Sequence, residues 1–203
     1  MKKGERTRGM IVERSAPVFN TNGYFGTSMN DLVRKTGLEK GGIYNHFASK
    51  EELALEAFDF SMGVMRERYR EALSDRKGAL ERLFAVIDVL GELVEHPPVP
   101  GGCPILNTAI EADDTNPLFK EKAREAMTDW HRLIGKITKD GVESGELSPQ
   151  ADPYEMASIV TSTLEGALMI SKLFDDPTHM QRAVEHLKRY SKSLAQDPEP
   201  SDA

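Results

Sequence analysis

The 203-residue chain holds one cysteine, so no disulfide can form within it, and a reducing compartment is its expected setting. No apolar run reaches the roughly 18 residues that a membrane-spanning helix needs. Met1-Lys2-Lys3 is not followed by an apolar stretch, which argues against a secretory signal. A cytoplasmic protein without membrane contact is therefore expected. Alternation of apolar and polar residues with period two is never sustained, so strands are not expected either. The sequence also lacks a Gly-rich phosphate loop, a Glu-x-x-His pair and a convincing nucleophile–base set. Catalysis, a bound metal and a resident cofactor are thus not expected. No internal repeat is visible.

The chain is not short of charge, but its two signs are segregated. Of 26 Lys/Arg and 33 Asp/Glu, nine and four fall in residues 1–50, a net of +5, while the rest carries 17 and 29, a net of −12. A basic head suits a polyanion, and an acidic body stays off it. The head also carries a pattern. Residues 27–50 read TSMNDLVRKTGLEKGGIYNHFASK. Ser28 with Asp31 three residues later predicts a capped helix, Gly37 a sharp bend, and residues 40–47 a second short helix. Two short helices joined at glycine form the unit that lays one helix in the major groove of double-stranded DNA.

The periodicity of apolar residues predicts an all-α protein of about nine helices. Residues 7–22 form the first, stopped by Gly23, with Pro17 inside it predicting a kink or a shift of the helix by a few residues. A fourth helix spans 49–73, with Glu52 in capping-box register to Ser49, and a fifth spans 78–95. The run His96-Pro97-Pro98-Val99-Pro100-Gly101-Gly102 breaks the chain. Helices over 104–112, 117–143 and 153–174 follow, and Asp176-Pro177 opens the last. Between Met156 and Ser171 the only charged residue is Glu165, so this eighth helix should be buried on more than one side. Packing of the last two helices against a second copy would bury it, giving a homodimer. The expected organisation is a three-helix DNA-binding head with helix-turn-helix over 1–48, a ligand-binding and dimerisation domain over 49–195, and a disordered tail over 196–203.

The head resembles the TetR family of bacterial transcriptional regulators. The resemblance rests on Ala16, Phe19, Gly23-Tyr24, Thr27-Ser28, Asp31-Leu32-Val33, Gly37, Gly42-Ile43-Tyr44, His46-Phe47, Ser49-Lys50 and Leu53, and spans about residues 7–55. The segment Gly102-Cys103-Pro104 with Asn107 and Glu111 is similar to one in a subset of these regulators. Pro17 and the pair Gly41-Gly42 depart from the family pattern. The resemblance implies that Tyr44, His46 and Lys50 anchor phosphates and that Lys40, Gly41, Gly42 and Asn45 face the groove of a palindromic operator. Lys40 could donate to guanine O6/N7, and Asn45 could pair with adenine. Thr27 or Ser28 would offer a hydroxyl and helix-terminal N–H groups to phosphate. Lys2, Lys3, Arg6 and Arg8 would form a basic arm along the backbone or an adjacent minor groove.

The resemblance further implies a pocket in the body for a small organic effector that lowers DNA affinity, with the fourth helix as the lever. Polar candidates on mostly apolar helices are Asn107, Glu111, His131, Thr161 and Glu165; apolar candidates include Trp130 and Met169. Glu165 could meet a cationic ligand, or form a core ion pair or a hydrogen bond across a dimer. Cys103, ahead of Pro104, sits at a helix N-cap, where the dipole favours thiolate. It is either an electrophile or oxidant sensor or a small buried residue. Glu111, Asp113 and Asp114 offer hard oxygen donors, but a solvated turn is the plainer reading. A repressor released by its effector is the expected function. The alternatives are a thiol-based sensor of the same fold and a helical interaction protein that does not read DNA.

Overall fold

The structure is a computed structural model that describes residues 3–196. Among the described residues there are nine α-helices: α1 (Lys3–Gly26), α2 (Met29–Thr36), α3 (Lys40–Tyr44), α4 (Lys50–Leu73), α5 (Ala79–Gly91), α6 (Pro104–Ala112), α7 (Pro117–Glu143), α8 (Pro153–Phe174) and α9 (Thr178–Ser193). The only strand-like feature among them is an isolated bridge between Leu147 and Ala195. No helix among these residues is long and apolar enough to cross a membrane. They fall into two compact units, Met1–Arg66 with Pro97–Ala126, and Glu67–His96 with Met127–Ala203. The expected boundary at residue 48 does not coincide with this partition, which groups α6 and the start of α7 with the three-helix head.

In the first unit, α1 begins at Lys3, four residues before the expected start at Thr7, so Lys3, Arg6 and Arg8 of the expected basic arm are all helical; Lys2 lies outside the described residues. Pro17 is accommodated inside the helix. The break falls at Gly23, where the stop was expected, with φ 75° and ψ 170°, a conformation open only to glycine. Ser28 caps α2 with both arms of a capping box in place: its hydroxyl accepts from the Asp31 N–H, and the Asp31 carboxylate accepts from the Ser28 N–H. Gly37 closes α2 in the left-handed conformation, and the Arg14 guanidinium donates to the Thr36 carbonyl at 2.8 Å. Contrary to expectation, α3 is five residues long and stops at Tyr44. The Ile43 carbonyl accepts from both His46 and Phe47 N–H, which tightens the end into a turn and seats Phe47, 2% exposed, in the core. That core is built from Ile11, Ala16, Phe19, Leu32, Ile43, Leu53 and Phe119.

In the second unit, α5, α8 and α9 pack on one another. The Glu146 carboxylate accepts from the N–H groups of Ala79 and Leu80 at 2.6 and 2.8 Å, capping α5 where Gly78 offers no side chain. Close helix approach depends on small residues: a Cβ at Gly141 would lie 2.6 Å from Ala79 Cβ. The predicted extension of α5 to residue 95 unwinds beyond Gly91 into turns. The tail expected to be disordered from 196 begins with an ordered residue, since the Gln196 N–H donates to the Glu146 carbonyl; residues 197–203 lie outside the described residues.

Candidate functional site

The outer face of α2 and α3 carries the exposed side chains. Lys40, Gly41, Tyr44 and Asn45 are exposed, while Gly42 and His46 are half-buried. Nothing lies within 4 Å of a Cβ built on Gly41, so this surface is open to a close-lying partner. The Lys40 ammonium sits 5.9 Å from the centre of the Tyr44 ring, and Ile43 and Phe47 point the other way into the core. One short turn therefore displays a cation, an aromatic hydroxyl and an amide side by side, the set used to reach base edges and phosphates.

The neighbouring residues are committed to internal contacts. Thr27 is 1% exposed, and its hydroxyl donates to the Gly23 carbonyl at 2.6 Å. The Ser28 hydroxyl is exposed but paired with Asp31, which holds that carboxyl below its usual range. The Lys50 ammonium donates to the carbonyls of Tyr24 and Thr27 at 2.7 and 2.9 Å and lies over the Tyr24 ring. It clamps the link between α1 and α2. Arg8 does not reach outward as an arm. Its guanidinium stacks 4.1 Å from the Phe47 ring centre, donates to the His46 carbonyl, and pairs with Glu52 and Glu56. The Arg8 pair, helped by the Ala48 N–H, lowers the pKa of Glu52. Arg8 thus ties α1 to the end of the α3 turn and the first turn of α4.

The predicted ligand residues fall into two groups. Within the first unit, Asn107 and Glu111 line one cavity, together with Phe19, Tyr24, Phe58 and Phe119. Asn107 Nδ2 donates to Asn20 O, Asn20 Oδ1 and Gly101 O, and the Asn20 amide in turn donates to the carbonyls of Pro100 and Gly102. The two Glu111 oxygens accept from the N–H groups of Tyr24 and Phe25, at 2.7 and 2.8 Å. Cys103 is fully buried as the N-cap of α6, its sulfur 3.5 Å from the Leu106 N–H. In the second unit, Trp130 packs edge-on to Tyr69, and His131 Nε2 lies 3.0 Å from the Thr161 hydroxyl. Glu165 is 8% exposed on the packed face of α8, whereas Met169 on the same helix is 51% exposed and faces away from that core. Sequence reasoning missed Asn20 and Tyr24. The signal for Asn20 was a polar residue on the apolar face that Ala16 and Phe19 define, four residues from the first and next to the second.

The comparisons agree with this geometry. Residues 11–57 match the family described as bacterial regulatory proteins, tetR family, and residues 79–187 match the tetracyclin repressor-like C-terminal domain. A TetR transcriptional regulator from Chloroflexus aurantiacus J-10-FL superposes with a TM-score of 0.92 and 42% identity, over 96% of this chain and 98% of that one. A TetR family regulator from Cytophaga hutchinsonii gives 0.91 and 33%, over 98% and 99%. An uncharacterized HTH-type transcriptional regulator of Mycobacterium tuberculosis is 26% identical, over 98% of this chain and 99% of its own length. With both halves matched and the helix-turn-helix face intact, the chain belongs to the TetR family of DNA-binding transcriptional regulators.

Proposed function

We propose that this regulator is a homodimeric repressor that grips a palindromic operator through α3 and its flanking turns and lets go when a small organic effector binds. The observation that carries the reading is the exposed row Lys40, Gly41, Tyr44 and Asn45 on a turn whose opposite side is anchored in the core. In this reading Lys40 and Asn45 read base edges, and the bare Gly41 and Gly42 allow close approach. Tyr44 and His46 hold phosphates, and the first turn of α2 after Thr27 and Ser28 offers N–H groups to another. Lys50 acts chiefly by holding that turn in place, with the remaining donor capacity of its ammonium for phosphate.

The dimer reading is supported by Leu173 and Phe174, 71% and 67% exposed at the end of α8 beside the exposed Met169. Three large apolar side chains on one helix end suit a second copy of the same surface. A role for His131, Thr161, Trp130 and Glu165 in holding an effector remains part of the proposal.

The test is fluorescence anisotropy of the full chain on labelled DNA from upstream of its own gene, against scrambled DNA of equal length, with sedimentation of the free protein. Operator binding should exceed scrambled binding by at least about 10³-fold and weaken steeply with salt. A free protein that sediments as a monomer and binds both DNAs equally would overturn the proposal.

A further inference from the structure

The cavity in the first unit has a chemistry of its own. It is lined in part by the break in α1, Gly23, Tyr24 and Phe25, and has a volume of about 40 Å³. Its deep wall is apolar: Phe19, Phe58 and Phe119, with the alanines 16, 54 and 57 leaving the space between them. That volume holds about three water-sized groups, enough for a short alkyl chain. Its polar rim carries charge of one sign only. The side-chain N–H groups of Asn20, Asn107 and Asn116 all donate to protein oxygens, and the Ser61 hydroxyl donates to the Ala57 carbonyl. What the rim still offers is the carbonyl oxygen of Asn107, the further lone pairs of the Glu111 carboxylate, and the hydroxyls of Tyr24 and Thr108, which donate or accept; Glu111 is the one charged residue of the lining. No lysine, arginine or histidine lines the cavity. A carboxylate ligand would meet the negative charge of Glu111 with no cation to offset it, whereas an ammonium would find a charged partner and an apolar seat for its tail.

We propose that this cavity is an effector site for a small alkylammonium ion whose head binds Glu111 and whose tail enters between Phe19, Phe58 and Phe119. The proposal rests on the regulator reading above. It places the site at the head, apart from the second-unit residues His131, Thr161 and Glu165. Occupancy reaches the DNA-reading helices by a short path. Glu111 holds the N–H groups of Tyr24 and Phe25, Lys50 holds the carbonyls of Tyr24 and Thr27, and Ser28 begins α2. An ammonium on the remaining lone pairs of Glu111 draws the carboxylate toward the cavity, weakens its hold on those two N–H groups and loosens the link that sets α2 and α3.

An isosteric series tests this: n-butylammonium, n-butanol and butyrate, titrated into the full-length protein. The expected result is that butylammonium shifts the amide resonances of Tyr24 and Phe25 and lowers operator affinity at least fivefold. Butanol should bind more weakly, and butyrate should not bind. Thr108→Phe, which sets a ring in the lining of the cavity, should abolish the shifts. Glu111→Gln should remove the preference for butylammonium over butanol, and melting curves of both variants establish that they are folded. Equal binding of butyrate, or shifts that survive Thr108→Phe in a folded protein, would overturn the proposal. So would binding that leaves operator affinity unchanged. If the protein binds no operator at all, the regulator reading fails separately, and the resonance titration still decides the cavity.

Discussion

Gly23→Ala should be among the most damaging small substitutions in the head. At φ 75° and ψ 170° an L-residue is strained by about 1–3 kcal/mol. The new Cβ would also lie 2.6–2.8 Å from the Glu111 carboxylate, which must withdraw. Withdrawal strips the charged acceptor from two N–H groups. Phe25 is exposed, so water replaces its bond at little cost. Tyr24 is half-buried, and its N–H keeps a penalty of about 1–2 kcal/mol. The sum, about 2–5 kcal/mol, is a large share of the ~5–15 kcal/mol by which a typical domain is stable. Urea denaturation followed by circular dichroism measures the loss, and amide exchange at Tyr24 and Phe25 locates it. Gly26→Ala is the control, because φ is not positive there and the nearest atom to its Cβ is 3.9 Å away. It should be neutral or slightly stabilising. The reasoning is refuted if Gly23→Ala comes within about 0.5 kcal/mol of the parent and both amides keep their protection.

Tyr44→Ala should weaken binding to every DNA sequence alike, whereas Asn45→Ala should mainly relax preference at one or two base pairs, by about 1–3 kcal/mol per base; binding selections on both variants check this, and uniform loss for Asn45→Ala would refute its assignment. The pH response follows from Glu52, whose pKa is lowered by Arg8. Its contribution is therefore present above the ordinary carboxylate range near pH 4 and is lost as pH falls through the lowered folded value. Urea midpoints at pH 7 and about pH 3 should differ less in Glu52→Gln than in the parent, and an unchanged difference would remove Glu52 from the account. Gly141→Ala should cost about 1–3 kcal/mol in the second unit, since its Cβ would press on Ala79 and Leu147; a neutral melting temperature would show that the helices can part.

What was legible in the sequence follows from how local each signal is. Ser28 with Asp31, Gly37, Cys103-Pro104, Asn116-Pro117 and Asp152-Pro153 mark helix ends through their own backbone chemistry, and the helices begin or stop beside them. The length of α3 was not legible. Whether residues 45–47 continue a helix or turn depends on the burial of Phe47, a tertiary contact that helical propensity does not contain. Gly23 was a sound signal, since the break falls at the stop expected there, six residues after Pro17; Pro17 itself lies within helical backbone. Charges were harder still. Arg8 and Lys50 sit in a basic segment facing a polyanion partner, yet their partners are Glu52, Glu56 and main-chain carbonyls. Net charge locates an electrostatic surface without saying which of its members face out. The seven predicted effector residues other than Cys103 were chosen as polar groups or large side chains on apolar helices, a criterion blind to which helices meet. Asn107 and Glu111 share a cavity, while Trp130, His131, Thr161, Glu165 and Met169 belong to the other compact unit.

The link between α1 and α2 brings these observations to one place. A break at Gly23 frees backbone groups that a continuous helix would pair internally, and freed groups must find partners. The N–H groups of Tyr24 and Phe25 take a carboxylate from α6, the carbonyls of Tyr24 and Thr27 take an ammonium from the first turn of α4, and the Thr27 hydroxyl closes back on Gly23. Opposite charges thus hold one five-residue link from its two polar faces, immediately before the helix whose cap is Ser28. A straight helix through residue 26 would need none of these partners and would respond to none of them. The break makes the orientation of α2 and α3 depend on side chains contributed by α4 and α6, and a regulator needs such a dependence wherever something other than DNA must be able to alter the fit of its reading helix.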